Sequence, residues 1–302
     1  AHDERDFAFA REFDLSIIPV VRPDDAWLAE HGVAADDASD WPEAFTGVGV
    51  AMASANDGVT LALSGKVDYG DEIRMAVGLA SNQMSAGSLK SLWPAVLAPK
   101  VREWGLQNIE SGVVERIDIA TNATLATLRP GGPPIPPEGL SIEIIGNSVV
   151  LRPVDGLPAI RDADLNVRVN GRSAKVTLSK GMIDVSPGRR LVMSSGTFDV
   201  PNIRIKAPPA RIGFRIDGPV AAAAELLALE RLREYSGAPF DPSGTRGSVA
   251  AQVQLGLPLR SDLPRGSTDY VIGVDLLNFS AEKLFMGHKL EAQSLRVNAN
   301  TD

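Results

Sequence analysis

The sequence has no cysteine among its 302 residues, and it is poor in histidine, aromatic residues and long apolar runs. The absence of cysteine excludes disulfide bonds and cysteine-ligated metal sites. The three histidines, His2, His31 and His288, lie far apart, and none belongs to a paired-ligand motif. No run approaches the roughly 20 apolar residues that a membrane-spanning helix needs. We therefore expect neither a metal site nor a spanning helix.

The overall composition is that of a globular chain, with 44% hydrophobic and 23% charged residues. A net charge of -8, without a clustered excess of lysine and arginine, disfavours a nucleic-acid surface. No serine lies in a G-x-S-x-G pattern, and no helix opens after Gly47-Val48-Gly49 to form a dinucleotide site. The sequence thus predicts no catalytic residues, no cofactor and no enzyme activity.

The clearest structural signal is an alternating pattern on both sides of Asn170-Gly171, a pair that favours a tight hairpin. Polar residues occupy the other positions, which predicts an antiparallel sheet with one apolar face. The apolar positions that share this face are Leu165, Val167, Val169, Ala174, Val176 and Leu178.

The same alternation recurs along most of the chain, which predicts a mainly β fold. It is present in Ile212–Ile216, Val249–Leu257 and Tyr270–Leu276, and also at the start of the chain, where Phe7, Phe9 and Phe13 predict a strand that continues through Leu15 and Ile17. One long apolar sheet face follows from this pattern, and something must cover it.

Helical spacing replaces alternation in two regions. Apolar residues recur every three or four positions from Ser88 to Trp104, and Pro94 and Pro99 divide that region into two short helices. A third helix is predicted from Pro219 to Tyr235. We expect an N-terminal meander at 1–86, a helical segment at 87–112 and a hairpin-rich region at 113–302.

Three segments together resemble the periplasmic part of the AsmA-like family, in particular its YhdP-type branch, with TamB as a more distant relative. The first is LWPAVLAPKVREWGLQNIESGVVERIDI, at 92–119. The second is LPAIRDADLNVRVNGRSAKVTLSKGMIDV, at 157–185, and the third is RIDGPVAAAAELLALERL, at 215–232, followed by GSVAAQVQLGLPL. The likeness covers about two thirds of the chain, from Ser88 onward.

This resemblance implies a long curved antiparallel sheet that forms an open hydrophobic trough, a β-taco-like fold with two or three short helices. It also implies a periplasmic location, with the protein tethered to the inner membrane by an N-terminal anchor that this sequence does not contain. The implied partners are phospholipids or other acyl-chain lipids, which such proteins hold or conduct between the inner and outer membranes. On this view the sequence is a fragment of a longer envelope protein.

An aliphatic sheet face that few helices cover is compatible with that function, since an alkyl chain is held by buried apolar area alone. Plain core packing is the alternative for each residue of this face. The alternative for the whole chain is a structural or protein-binding β-sandwich of the cell envelope that carries no lipid. The candidate groove residues are Ile142, Ile144, Leu165, Val167, Val169, Val176, Phe214, Ile216, Val253 and Leu255.

Overall fold

The structure is a computed structural model that describes residues 4–13, 17, 19, 21–35, 38, 40–45, 50–52, 59–69, 72–93, 99–129, 132–236, 241–260, 266–285 and 288–301. Among these residues, fourteen strands belong to one sheet. The strands are β1 (Val21–Arg22), β2 (Val50–Met52), β3 (Thr60–Tyr69), β4 (Ile73–Ser81), β5 (Met84–Ser85), β6 (Ile109–Thr124), β7 (Leu140–Leu151), β8 (Ile160–Asn170), β9 (Ala174–Ser186), β10 (Arg189–Val200), β11 (Pro209–Pro219), β12 (Thr245–Pro258), β13 (Asp269–Phe285) and β14 (His288–Asn300).

The helices in these ranges are short, and none has the length and apolar character that crossing a bilayer requires. Short 3-10 turns at Pro137–Gly139 and Pro242–Gly244 precede β7 and β12. The helices are α1 (Glu4–Glu12), α2 (Asp25–His31), α3 (Ala86–Leu92), α4 (Pro99–Asn108), α5 (Leu125–Leu128), α6 (Val220–Ala228) and α7 (Glu230–Ser236).

Hydrogen-bonded neighbours in the sheet follow the order of the chain from β1 to β14, except that β5 pairs with β6 beside this path. The pairing is antiparallel in each pair whose register is defined, from β1 with β2 to β13 with β14. The predicted fold class, a mainly β chain built on one long antiparallel sheet with short helices, is confirmed. The helices outnumber the two or three expected, because the described residues hold seven.

The chain divides into two compact units. The first unit comprises 1–84 and 115–143, and the second comprises 85–114 and 144–302. Both β6 and β7 contribute residues to each unit. The division expected from the sequence, at 1–86, 87–112 and 113–302, stays a prediction.

The first unit has its own core of aromatic and small residues. Phe7 is buried together with Trp41 and Phe45, and the ring of Trp27 lies 5.3 Å from the rings of both Trp41 and Phe45. The indole N–H of Trp41 donates to the Ala34 carbonyl at 2.8 Å, which satisfies its one polar group. Large aromatic rings therefore join α1 and α2 to the residues around Trp41 and Phe45.

The strand predicted at Phe7, Phe9 and Phe13 is wrong, because Glu4–Glu12 forms α1. Residues four apart are neighbours on a helix face, and the rings of Phe9 and Phe13 lie 4.5 Å apart. Leu15, which the prediction also included, lies outside the described residues. Phe7 packs in the aromatic core, whereas Phe9 and Phe13 are 57% and 61% exposed, so the three phenylalanines that alternate in the sequence do not share one buried face.

The hairpin predicted around Asn170-Gly171 is confirmed as the β8–β9 pair, with Val167 opposite Val176 and Leu165 opposite Leu178. Its turn differs from the one expected, because Asn170 does not have a positive φ. The Asn170 side-chain oxygen instead accepts hydrogen bonds from the backbone N–H groups of Arg172 and Ser173. The asparagine thus stabilises the turn through its side chain rather than through a left-handed backbone.

Two of the predicted helical regions are confirmed, although the second is divided. Helices α3 and α4 occupy the region from Ser88 to Trp104, and Pro99 begins the second of them. The helix expected at Pro219–Tyr235 is two helices, α6 and α7, because the chain turns at Leu229, whose N–H still bonds to the Leu226 carbonyl. Pro94 lies outside the described residues.

The core of the second unit lies where α6 packs on the sheet. Leu191 of β10 and Ala222 of α6 have no exposed surface, and Ile183 and Leu178 of β9 surround them. Small alanines let the helix approach a sheet of branched side chains closely, so burial is complete at this point.

A β-bulge interrupts β10 within this unit. Ser195 has a φ of 52°, and the pairing of β10 with β11 shifts between Ser194 and Thr197. Met193 and Phe198 consequently lie opposite Ile216 and Ile212, which share one face of β11. The bulge therefore keeps Met193 and Phe198 on one face although they are five positions apart, a separation that would place them on opposite faces of a regular strand.

Candidate functional site

Eight of the ten candidate groove residues lie on one face of the sheet in the second unit. The register shows this directly, since Val167 pairs with Val176, which pairs with Phe198, and Phe198 in turn pairs with Ile212, the partner of Leu255. The side chains of directly paired residues lie on the same side of a sheet. The eight residues are Leu165, Val167, Val169, Val176, Phe214, Ile216, Val253 and Leu255. We call the surface that they share with their paired neighbours the apolar face.

The other two candidates lie on β7 and divide between the units. Ile142 is buried and belongs to the first unit, whereas Ile144 is half-buried and belongs to the second. The structure therefore does not bring Ile142 together with the eight residues of the apolar face within one compact unit.

Core packing accounts for two of the eight candidates on the apolar face. Leu165 and Ile216 pack against the buried cluster around Leu191 and Ala222. The remaining six candidates are half-buried, and neither of the two buried clusters beside α6 includes them. These six are Val167, Val169, Val176, Phe214, Val253 and Leu255. The apolar face is thus covered at one end and partly open beyond it.

Helix α6 provides the cover at that end. Val220, Ala222 and Ala224 are its buried residues, and Ala223 and Leu226 pack against the sheet as well. Its Glu225 carboxylate accepts hydrogen bonds from the Ser186 hydroxyl at 2.9 Å and from Arg189 at 2.8 Å. The helix is therefore held by apolar contacts and by one ion pair at the β9–β10 turn.

The list of ten candidates omitted several members of the apolar face. Ile212, Tyr270 and Ile272 belong to the alternating segments that predicted this face, and they pair with Leu255 and Val253. Phe198 was missed because the bulge at Ser195 breaks the period-two pattern of β10. A search that allowed one inserted residue per strand would have found it.

The opposite face of these strands is polar and carries ion pairs. The hydrogen bond from Arg190 lowers the pKa of Asp184, and the hydrogen bond to Asp217 raises the pKa of Arg215. All four side chains are well exposed to solvent. Exposed pairs of this kind are surface features, so these pKa shifts do not indicate a proton-transfer site.

Two hollows lie elsewhere on the described surface. One, of about 400 Å³, is in the first unit between β3, β4 and β6, and its lining includes Lys66, Thr121 and Glu138. The other, of about 290 Å³, lies beside Phe279 and Glu291 on β13 and β14. None of the ten candidates lines either hollow. The two hollows are therefore separate from the candidate groove residues.

Groups of three or more histidine, aspartate or glutamate side chains placed to hold a metal ion do not occur among the described residues. The Nδ1–H group of His31 donates to the Trp27 carbonyl oxygen at 2.9 Å, and the imidazole ring stacks on the Trp27 ring. His2 lies outside the described residues. The arrangement of described side chains offers apolar contact and surface ion pairs.

Comparison with known proteins finds local similarity to leucine–tRNA ligases. The ligase of Frankia casuarinae is 58% identical over 50 residues, which are 16% of this chain and 5% of the relative. The ligase of Frankia alni matches to the same extent. The ligase of Parvibaculum lavamentivorans is 30% identical over 177 residues, which are 54% of this chain and 18% of the relative. No family model and no solved structure matches.

The expected membership of the AsmA-like family is wrong, and so is the expected function of holding or conducting phospholipid in the cell envelope. The relatives are leucine–tRNA ligases, and nothing in the comparisons points to AsmA-like proteins or to lipid partners. The segments that suggested the family combine Trp-Pro, Leu-Pro and Gly-Pro pairs with alternating stretches of sequence. Such pairs and such alternation occur in many proteins with antiparallel sheets, so they indicate a fold and not an ancestry.

The alternative of a β-sandwich is wrong as well, because the described strands belong to one sheet. The expectation that the protein is not an enzyme conflicts with the names of its relatives, which are enzymes. The expected periplasmic location stays a prediction. The chain spans between 5% and 18% of the length of these three relatives.

Proposed function

We propose that this chain is a polypeptide-binding region, without catalytic chemistry of its own, of a protein related to leucine–tRNA ligases. The local similarity to leucine–tRNA ligases supports the proposed relationship to these enzymes. The observation that carries the proposed polypeptide binding is the apolar face, which α6 covers at one end and which stays half-buried beyond it.

The occupant that fits the open part of the apolar face is an amphipathic helix. Helix α6 already packs on the same face through Val220, Ala222 and Ala224. A second helix with its apolar side against Phe214 and Val253 would extend this layer, since helices commonly cover sheets of branched residues. Burying further area there contributes about 25 cal/mol per Å².

Catalysis by this region itself has little support. The described residues hold no metal-binding cluster, and the resolved pKa shifts belong to exposed ion pairs. The net charge of -8 disfavours contact with the phosphates of a tRNA. We therefore assign binding of leucine, ATP and tRNA to the rest of such a protein, and assembly to this region.

Photocrosslinking tests the proposed occupant. A photoreactive phenylalanine analogue replaces Val253, on the apolar face, and in a matched control it replaces Gln252, the exposed neighbour on the opposite face. The expected result is a crosslink at Val253, and none at Gln252, to a peptide whose sequence has helical apolar spacing. A lipid adduct at Val253, or no peptide adduct there in the folded protein, contradicts the proposal.

A separate assay tests the relationship to leucine–tRNA ligases. The whole protein that carries this sequence should catalyse leucine-dependent exchange between ATP and pyrophosphate, and residues 1–302 alone should not. Absence of exchange in the whole protein contradicts the relationship and leaves the crosslinking result standing. Exchange by residues 1–302 alone contradicts the non-catalytic assignment.

A further inference from the structure

The turn between β8 and β9 directs three hydrogen-bond donors at the side-chain amide of Asn170. Its Oδ1 atom accepts hydrogen bonds from the backbone N–H groups of Arg172 at 2.8 Å and Ser173 at 2.7 Å. The Ser173 hydroxyl donates to the same atom at 3.2 Å. Donors that converge on one amide oxygen polarise its C=O bond, and they stabilise negative charge that develops on that oxygen.

The backbone nitrogen of Gly171 lies next to this amide along the chain. A bond from this nitrogen to Cγ of Asn170 closes a five-membered ring, so the two atoms are held close by the covalent structure itself. Among the described residues, no group accepts a hydrogen bond from the Gly171 N–H. Glycine has no Cβ to shield its nitrogen, and Asn170 is the asparagine of this sequence that precedes a glycine. The nitrogen is therefore available as a nucleophile.

We propose that Asn170 is a site of spontaneous conversion to aspartate, promoted by the donors of this turn. Hydroxide removes the Gly171 N–H proton, and the nitrogen attacks Cγ, so that negative charge develops on Oδ1. The intermediate then expels the side-chain nitrogen, which takes a proton from water and leaves as ammonia, and a cyclic imide remains. A second water molecule opens the imide, so the whole reaction consumes one water and releases one ammonia. This modification is independent of the proposed function.

The contacts of the turn also suit the product. An aspartate at position 170 would accept from the backbone N–H groups of Arg172 and Ser173, and hydrogen bonds to an ionised carboxylate stabilise it. Nε of Arg204 donates to the Gly171 carbonyl at 2.6 Å, which places a positive charge at the same turn. Opening of the imide on its other side gives isoaspartate, which inserts an extra carbon into the main chain and moves the carboxylate away from these donors. The folded turn therefore favours aspartate as the product.

Asn202 provides a matched comparison within the same chain. Its Oδ1 accepts a hydrogen bond from the backbone N–H of Arg204 at 3.1 Å. The nitrogen that follows it belongs to Ile203, a β-branched residue, and its N–H donates to the Arg172 carbonyl at 2.8 Å. This nitrogen is both shielded and occupied, so we expect no conversion at Asn202 while Asn170 converts.

Peptide mapping by mass spectrometry tests the proposal, because it follows the change from amide to acid at each asparagine while the folded chain stands in mildly alkaline buffer. A synthetic peptide of residues 164–178 gives the reference rate, since an isolated hairpin is at most marginally stable and lacks the fixed donors. We expect Asn170 to convert at least about tenfold faster in the folded chain, mainly to aspartate. Ser173→Ala removes the hydroxyl donor and should slow this conversion about threefold.

Gly171→Ala shields the attacking nitrogen without a change of backbone conformation, because Gly171 does not have a positive φ. It should slow the conversion at least about tenfold. Three results overturn the proposal: slower conversion in the folded chain than in the peptide, an unchanged rate in Gly171→Ala, and equal conversion at Asn202 and Asn170. Should Gly171→Ala fail to fold, the first and third comparisons still decide, since both use the natural chain.

Discussion

The guanidinium of Arg189, at the β9–β10 turn, donates to the carboxylate of Glu225 on α6 at 2.8 Å. Roughly a third or less of each side chain is exposed, and the Ser186 hydroxyl donates to the same carboxylate oxygen. This relationship fixes the position along the sheet at which α6 covers the apolar face. The ion pair and the neighbouring alanine contacts together hold α6 on the sheet.

Arg189→Ala should lower the free energy of unfolding by about 1 kcal/mol, because a half-buried charged hydrogen bond is lost and Glu225 keeps only the serine donor. Urea denaturation measures this change. The control is Arg296→Ala, whose pair with Asp275 is more exposed and should contribute about 0.5 kcal/mol or less. Equal losses in both variants would mean that the Glu225 contact does not hold the helix.

Leu191→Ala should lower the free energy of unfolding by about 2–5 kcal/mol, since the leucine is fully buried beneath α6 and its removal leaves a cavity. The neighbouring Val192→Ala removes an apolar side chain that is 44% exposed, and it should cost about 1 kcal/mol or less. Thermal and urea unfolding both measure the difference. A small loss at Leu191 would show that α6 does not close over this position in solution.

Gly247→Ala should be more destabilising than Gly188→Ala, although both glycines have a positive φ. A Cβ at Gly247 would lie 2.6 Å from the Leu277 carbonyl oxygen, whereas a Cβ at Gly188 meets nothing within 4 Å. We expect about 1 kcal/mol at Gly188 from backbone strain alone and a larger loss at Gly247 from the added clash. Equal losses would contradict the close approach of β12 and β13 at Gly247, where their register shifts between Arg246 and Ser248.

The pKa of Asp184 should lie below its ordinary value of 3.8, because Arg190 donates a hydrogen bond to the carboxylate. The folded chain then binds fewer protons here than the unfolded chain, so the contribution to stability is present above the unfolded pKa and is lost as pH falls through the folded one. An NMR titration of the Asp184 carboxyl group measures this pKa. Arg190→Gln should raise this pKa, and Arg161→Gln, a weaker influence, should raise it less.

Local patterns predicted the strands well because successive side chains of a strand alternate between the two faces of the sheet. The face on which a residue lies therefore follows from its position in the sequence. The pairing of Val167 with Val176 follows from counting outward from Asn170. The register of β10 could not be counted in this way, since the bulge at Ser195 is a backbone conformation that serine rarely adopts and that no residue type announces. The prediction at α1 failed for a different reason. Phe9 and Phe13 are four positions apart, a spacing that fits a strand as well as a helix, and the burial of Phe7 among aromatic residues distant in sequence is not visible in the local pattern.

The sequence predicted the apolar face of the candidate site, but it did not predict what binds there. Alternation places Val253 and Leu255 on one side of β12, and the register confirms that they share it with Phe214. Nothing in an alternating strand specifies what lies against it, because aliphatic side chains bind by area and without direction. The identity of the occupant therefore has to come from outside the pattern, and the names of the relatives corrected the lipid expectation.

The neighbour order of the strands from β7 to β14 is also their order in the chain. During synthesis each new strand can therefore pair with one that has already left the ribosome, and it does not have to wait for a distant segment. Nearly all loops that connect neighbouring strands are short, so little conformational entropy is lost when each strand is added to the sheet. The sheet can therefore form strand by strand from the amino terminus. A hairpin inserted or deleted by mutation would lengthen or shorten the sheet without rearranging the rest.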